Sequence, residues 1–260
     1  MLNSPQSKSS LRRIGWFVGI TATLMLIVAA VERKKELTVT ATVVEVQPLD
    51  GGHWLIDSAD VVKIIERSFG MSLDEQAAGL VDVDRVERVL EEDPFVLNAE
   101  AMLTANSQVK IVVEQREPVL RVMDNLGAQY YLDKNGARVP LSKHFAARTL
   151  VANGNIQPHT PEFLTKKRHQ MKDLFELANF ILADGFWSAM IEQIYVNGRE
   201  EFILVPKIGD QAIILGKYDE GIEDKFRRLK IFYEEGMSRE GWQKYRTIDL
   251  RFRGQVVCER

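Results

Sequence analysis

The chain has 260 residues, a length that fits one or two domains, and 45% of them are hydrophobic against 27% charged. With 34 basic and 37 acidic side chains the formal net charge is -3, which removes the whole-chain electrostatic case for a nucleic-acid partner. The one cysteine, Cys258, excludes an internal disulfide, so burial and hydrogen bonding must hold the fold.

In chain order, the first predicted element is a membrane-spanning helix over residues 14–31, IGWFVGITATLMLIVAAV, a run without a charge. At 1.5 Å per residue it covers about 27 Å, close to the roughly 30 Å hydrocarbon core of a bilayer. Arg12 and Arg13 precede it, and Arg33, Lys34 and Lys35 follow it, with stems long enough to reach lipid headgroups. Trp16 suits the interfacial belt. A cleaved signal peptide has a shorter apolar stretch and a small-residue cleavage site, which Ala29-Ala30-Val31-Glu32 matches poorly, so an uncleaved anchor is expected. Lys8, Arg12 and Arg13 balance the three basic residues beyond the span, so flanking charge leaves its direction open. Gly15 and Gly19 form G-x-x-x-G, a transmembrane packing face for another helix, although one such pair also arises incidentally.

From Leu37, LTVTATVVEV is rich in β-branched residues and predicts a strand, ended by Pro48 and Asp50-Gly51-Gly52. Asp57 or Ser58 can cap a helix whose apolar stripe is Val61, Val62, Ile64, Ile65 and Phe69, stopping at Gly70. A second helix is expected over 83–91, with Val83, Val86 and Leu90 on one face, ended by Asp93-Pro94. VLNAEAMLT, a turn at Ala105-Asn106-Ser107 and VKIVVEQREPVLRV then predict a β-hairpin. Two helices on one face of a three-stranded sheet would bury both stripes, giving a compact α+β module.

Residues 129–139, QYYLDKNGARV, predict a second hairpin around Asn135-Gly136. A helix is expected over 163–183, followed by strand, Asn197-Gly198 turn and strand in MIEQIYVNGREEFILVPK. Residues 212–215 read as a strand and 220–235 as a helix with Phe226, Leu229 and Tyr233 aligned. The closing TIDLRFRGQVVCE reads as a strand pair. Thr247 to Asp249 and Arg251 are expected to alternate between a buried and a wet face, with a bend at Arg253-Gly254. A last strand of this kind is expected at a sheet edge, either covered and inert or open for a partner strand.

Three phrases resemble one family. The β-α-α-β-β order over residues 37–120 is that of a POTRA domain, and DPFVLNAEAMLTANSQVKIVVEQREPVLRV resembles the FtsQ/DivIB family of bacterial cell-division proteins. Val113-Glu114-Gln115-Arg116-Glu117-Pro118-Val119 matches that family's closing V-x-E/Q-R-x-P-V, with Gln115 where most members have glutamate. The Asn-Gly hairpin resembles the one opening the family's β domain, and TIDLRF its terminal strand pair.

The resemblance implies a cytoplasmic tail (1–13), a transmembrane helix (14–31), a POTRA domain (32–120) and a β domain (121–260) of mixed sheet with flanking helices. It places the chain in the inner membrane as a single-pass protein at the division septum, N-terminus cytoplasmic and both domains periplasmic. The function it implies is a scaffold linking early and late division proteins and controlling septal peptidoglycan synthesis. The partners implied are FtsB/FtsL-like division proteins, other membrane proteins of the division machinery and inner-membrane lipid, with no nucleic acid and no small-molecule substrate. By the same resemblance Phe252 stands at the family's contacting tyrosine. Arg253, Gly254, Gln255 and Val256 then fall where the partner strand lies.

No chemistry competes with that reading. His53, His144, His159 and His169 are scattered, and no H-E-x-x-H, C-x-x-C, G-x-S-x-G, Walker A or G-x-G-x-x-G occurs. Lys166-Lys167-Arg168-His169 reads as a solvated helix face. No cofactor, metal or catalytic residue is expected. The alternative is a POTRA-type periplasmic chaperone or translocation accessory, which usually carries several POTRA copies or a barrel. A cell-wall hydrolase would need a nucleophile or metal site.

Overall fold

Residues 6–237, 241 and 244–260 are described in the computed structural model, and they divide between Gln115 and Arg116 into two units. The first begins with helix α1 (Gln6–Lys35), whose window Gly15–Glu32 has mean hydropathy 1.8 and none of its residues buried. By length and composition this helix can cross a membrane.

The rest of the first unit is a three-stranded sheet, β1 (Ala41–Val46), β2 (Val96–Leu103) and β3 (Gln108–Gln115), in the order β1-β3-β2. β1 runs parallel to β3, and β2 antiparallel to it. Residues 37–39, expected to belong to the first strand, bond instead to the 76–78 segment: Val39 N–H donates to Gln76 O, and Ala78 N–H to Leu37 O. Helices α2 (Ser58–Phe69) and α3 (Val83–Glu91) begin where aspartates accept from the first turn, Asp57 from Asp60 N–H at 2.8 Å and Asp82 from Arg85 N–H at 3.0 Å. Their buried stripes, Val61 and Ile65 with Val86 and Leu90, pack against Val96, Ala99, Val109, Ile111 and Val113 of the sheet. This is the expected β-α-α-β-β arrangement.

At the end of β3 the buried side chain of Gln115 joins three segments. Its Oε1 accepts from Leu55 N–H (2.6 Å) and Ile56 N–H (3.2 Å), and its Nε2 donates to Gln47 O (2.6 Å). The single strand expected over 109–122 is therefore two strands. The chain leaves the first sheet after Gln115 and starts β4 (Pro118–Met123) in the second. Pro118 has no N–H with which to continue the β3 ladder, but is tolerated as the first residue of a new strand.

The second unit is built on nine strands. The others are β5 (Gln129–Asp133), β6 (Arg138–Val139), β7 (Leu150–Gly154), β8 (Ile191–Val196), β9 (Phe202–Pro206), β10 (Ala212–Gly216), β11 (Thr247–Asp249) and β12 (Val257–Glu259). Their order is β12-β11-β10-β9-β8-β7-β4-β5-β6, with β4, β7 and β8 parallel to one another and β10 parallel to β11. Helices α4 (Gln170–Ala183), α5 (Gly185–Met190) and α6 (Ile222–Ile231) share one core with Leu120, Val122, Ile194, Val196, Leu204, Ile213 and Ile248 of the sheet. Mixed sheet with flanking helices is the expected class.

Three further features, two helix boundaries and a turn, differ from expectation. α4 starts at Gln170 rather than 163, because Phe163 turns into the core and extended His169 becomes the cap, its Nδ1 accepting from Met171 N–H at 3.2 Å. The basic run 166–169 thus lies in the preceding turn, off the helix. α6 ends at Ile231 and continues as a π-helical turn through Gly236 to Met237, which brings both Tyr233 and Met237 into the core. In the β8–β9 hairpin, Glu200 N–H donates to Asn197 O and Asn197 N–H to Glu201 O. The left-handed residue is Glu200 (φ 60°) rather than Gly198, so the turn has one more residue than a two-residue Asn-Gly loop.

Candidate functional site

The strand carrying the Asp-Leu-Arg-Phe phrase is internal. β11 is flanked by β10, through Thr247 opposite Ala212, and by β12, through Ile248 opposite Cys258. The sheet edge belongs to β12. Among the described residues no strand lies on its far side.

The alternation expected from Thr247 to Arg251 also fails in detail. Ile248, Asp249 and Leu250 are all buried, while Arg251 is exposed. A buried aspartate needs a partner, and Arg251 supplies it. Its Nε lies 3.0 and 3.1 Å from the two Asp249 carboxylate oxygens, and its other terminal nitrogens reach Asp249 Oδ2 (2.6 Å) and Glu201 Oε1 (3.2 Å). Asn197 Nδ2 donates to the second Glu201 oxygen at 2.9 Å, so the β8–β9 turn is tied to the exit of β11.

The electrostatics follow from these contacts. Burial works to raise the Asp249 carboxyl, but hydrogen bonds from Arg251 and its charge outweigh it and hold the group below the usual carboxylate range. The Asn197 hydrogen bond chiefly, and Arg251 against a desolvation cost, hold Glu201 low. Hydrogen bonds to Asp249 and Glu201 raise the Arg251 guanidinium. All three are therefore charged near neutrality, and the cluster fixes where the chain leaves β11.

Residues 252–256 form the connection from there to β12. Phe252 is 51% exposed, a large aromatic at the surface on the connection that leads into β12. Arg253 and Gln255 are also exposed. Gly254 has φ 70°, the left-handed region that a side chain enters only with strain, so the bend expected at Arg253-Gly254 is formed by the residue suited to it. Val256 and Cys258 turn inward and pack against the core, which seats the edge strand. The five nominated residues thus lie together as the turn leading into the edge strand, rather than on a strand of their own.

On α1, Gly15 and Gly19 line one shallow groove with Trp16, Ile20 and Thr23; Thr23 Oγ1 donates to Gly19 O at 2.8 Å. Neither glycine has a side-chain position obstructed by the chain.

Two of the histidines that look scattered in sequence converge on Phe163, with ring centroids at 5.4 Å for His159 and 6.2 Å for His169. Desolvation leads in lowering both imidazoles, so they are neutral near pH 7 and serve packing and capping. No local pattern announces this cluster, because His159, Phe163 and His169 meet Tyr130 and Phe175 only after the sheet and α4 assemble. One cleft of the second unit, about 780 Å³, is lined in part by Glu117, Arg121, Arg148, Glu192 and Lys207. Both signs of charge are therefore present on this surface.

Comparison with known proteins agrees over most of the chain. The family profile described as FtsQ/DivIB, C-terminal related, matches residues 117–259, and a POTRA-like domain profile matches residues 50–114. A protein of Rhodothermus marinus named "Cell division protein FtsQ" is 26% identical over 183 residues, which cover 67% of this chain. The matched stretch spans 62% of the length of that relative.

Proposed function

This chain belongs to the FtsQ/DivIB-related family, and we propose that it is a non-catalytic scaffold of the bacterial division machinery. It is anchored in the inner membrane by α1, with its N-terminus cytoplasmic and both units periplasmic. There it links early to late division proteins at the septum. It binds an FtsB/FtsL-like complex along β12 and so controls septal peptidoglycan synthesis. The name of the relative and the family support the process, and the resemblance of the Asp-Leu-Arg-Phe phrase suggests the site.

The observation that carries the reading is that β12, the strand following the Asp-Leu-Arg-Phe phrase, has one neighbouring strand among the described residues, with an exposed Phe252 on the connection that leads into it. An edge strand offers N–H and C=O groups that an added strand can pair, each bond giving about 0.5–1.5 kcal/mol net. Phe252 supplies the aromatic anchor that such an edge needs for specificity. Gly254, Gln255 and Val256 set the approach of the partner backbone, and Arg253 is the adjacent charge. Anchoring follows from the exposed apolar side chains of Gly15–Glu32, which water would not tolerate as a single bare helix. Within the bilayer, the Gly15/Gly19 groove receives a helix of another division protein.

The test is capture of the purified FtsB-like ectodomain by full-length chain in detergent, comparing wild type with Phe252→Ala and Gly254→Asp. Loss of capture in both supports the reading, and undiminished capture by both defeats it. A second reading, a POTRA-type chaperone for extended clients, draws on β2, an eight-residue edge strand with Leu97, Met102 and Leu103 exposed. Septal placement of a fluorescent fusion separates the two: a chaperone would distribute around the envelope.

A further inference from the structure

The turn that carries Phe252 is held from outside the strand pair. Arg228, on α6, has a side chain only 11% exposed and aims its guanidinium at the carbonyls of this turn. Its Nη1 donates to Phe252 O at 3.1 Å and to Gln255 O, and its Nη2 donates to Leu250 O at 3.3 Å. Its remaining Nε–H donates to Asp224 Oδ2 at 2.8 Å, one helical turn earlier, which fixes the plane of the fork. Asp224 also accepts from Arg227, and the hydrogen bonds from these two arginines keep its carboxyl low and charged.

We propose that Arg228 is the positioning residue of the partner-binding edge: by bonding three carbonyls from both ends of the 250–255 turn, it sets the shape in which Phe252 and β12 are presented. The proposal rests on the edge-strand reading of this site. Its physical basis is the weakness of β12 on its own. That strand is three residues long and pairs with β11 at three positions, well below the usual length of a self-sustaining strand. A connection running free from Leu250 to Val256 would spread over many conformations, and a partner would have to order it at the moment of binding. A planar guanidinium presents N–H groups in a fixed fork that can reach several carbonyls together, which a lysine ammonium on its flexible stem does not reproduce. The staple therefore moves that ordering cost from the binding step to the folding of the second unit.

The experiment uses full-length chain in detergent micelles, as wild type, Arg228→Ala, Arg228→Lys and Phe252→Ala. Peptide-resolved amide exchange and the affinity for the FtsB-like ectodomain are measured side by side. In Arg228→Ala, exchange over 250–259 should accelerate on the order of tenfold or more while exchange across α4 and the β8–β9 pair is unchanged, and affinity should fall on the order of tenfold. Arg228→Lys should recover only part of either, and saturating partner should restore protection over 250–259. A merely structural arginine would raise exchange throughout the second unit. Unchanged exchange over 250–259 overturns the proposal. So does accelerated exchange with unchanged affinity while Phe252→Ala still loses capture, a result that leaves the edge reading standing. Undiminished capture by Phe252→Ala and Arg228→Ala together overturns both.

Discussion

Replacing Gln115 by leucine tests whether one buried amide closes the first unit. The side chain accepts from the N–H groups of Leu55 and Ile56, on residues 1% and 2% exposed, and donates to the carbonyl of Gln47, which is exposed. Leucine keeps the approximate volume and removes all three bonds. The Gln47 carbonyl can turn to water at little cost. The Ile56 N–H has no such route, and a buried donor that loses its acceptor costs about 1–3 kcal/mol. Loss of the short bond to Leu55 adds about another 1 kcal/mol, and the greater apolarity of leucine returns a fraction of it. The net expectation is destabilisation of the first unit by about 2–3 kcal/mol.

Gln115→Glu sharpens the test, because a carboxylate still accepts from both N–H groups but faces the Gln47 carbonyl oxygen with no proton to share. The two N–H bonds act to lower the carboxyl pKa, but burial and that oxygen are expected to outweigh them and raise it in the folded state above its unfolded value. The folded unit then holds its proton more tightly, so the variant's stability is fully present below the unfolded pKa and falls as pH rises through the folded one. Urea unfolding of the full chain in detergent, followed by peptide-resolved exchange over 41–115 at pH 5 and pH 8, reads both effects. A Gln115→Leu shift below about 0.5 kcal/mol, or a Gln115→Glu variant more stable at pH 8 than at pH 5, would refute the reasoning.

Gly154, φ 100° at the end of β7, leaves no room for a methyl group. Its Cβ would sit deep inside contact distance of the Val196 carbonyl oxygen and 2.8 Å from the Tyr195 ring, so Gly154→Ala should destabilise the second unit by about 3 kcal/mol or more in thermal unfolding. At the β8–β9 turn the reverse change helps: Glu200→Gly relieves a left-handed side-chain residue and should stabilise the same unit by about 0.5–1 kcal/mol. Because burial lowers the folded pKa of His159 and His169 below their unfolded values, the unfolded chain takes up protons first on acidification. Stability is therefore present above about pH 6.5 and lost as pH falls through the folded pKa values. His169→Asn keeps a helix-capping side chain without the titration, so its midpoint should change less between pH 7.5 and 5.5 than that of wild type; equal changes would show that His169 does not contribute.

Local patterns were sufficient wherever a segment's own side chains decide its conformation. The α3 boundaries, the Asp57 cap, the Asn135-Gly136 hairpin and the charge-free apolar helix depend on periodicity, capping chemistry and turn residues within a few positions of one another. The V-x-E/Q-R-x-P-V and Asp-Leu-Arg-Phe phrases likewise pointed to the family. Tertiary structure decided what depends on residues far apart. Two sheets compete for the run 109–122 and take half each. Phe163 leaves an otherwise helical pattern because His159, His169 and Phe175 enclose it. Asp249 is buried against the alternation because Arg251, itself also bonded to Glu201, compensates its charge. The open edge falls on β12 rather than β11 because β10 occupies the other side of β11, and Arg228 reaches the Phe252 turn from a helix more than twenty positions earlier. Short-range sequence fixes dihedral preferences and amphipathic faces. Which strand is left at a sheet margin, and which charge meets which carbonyl, are properties of the assembled packing, where contacts between distant segments outweigh local preference.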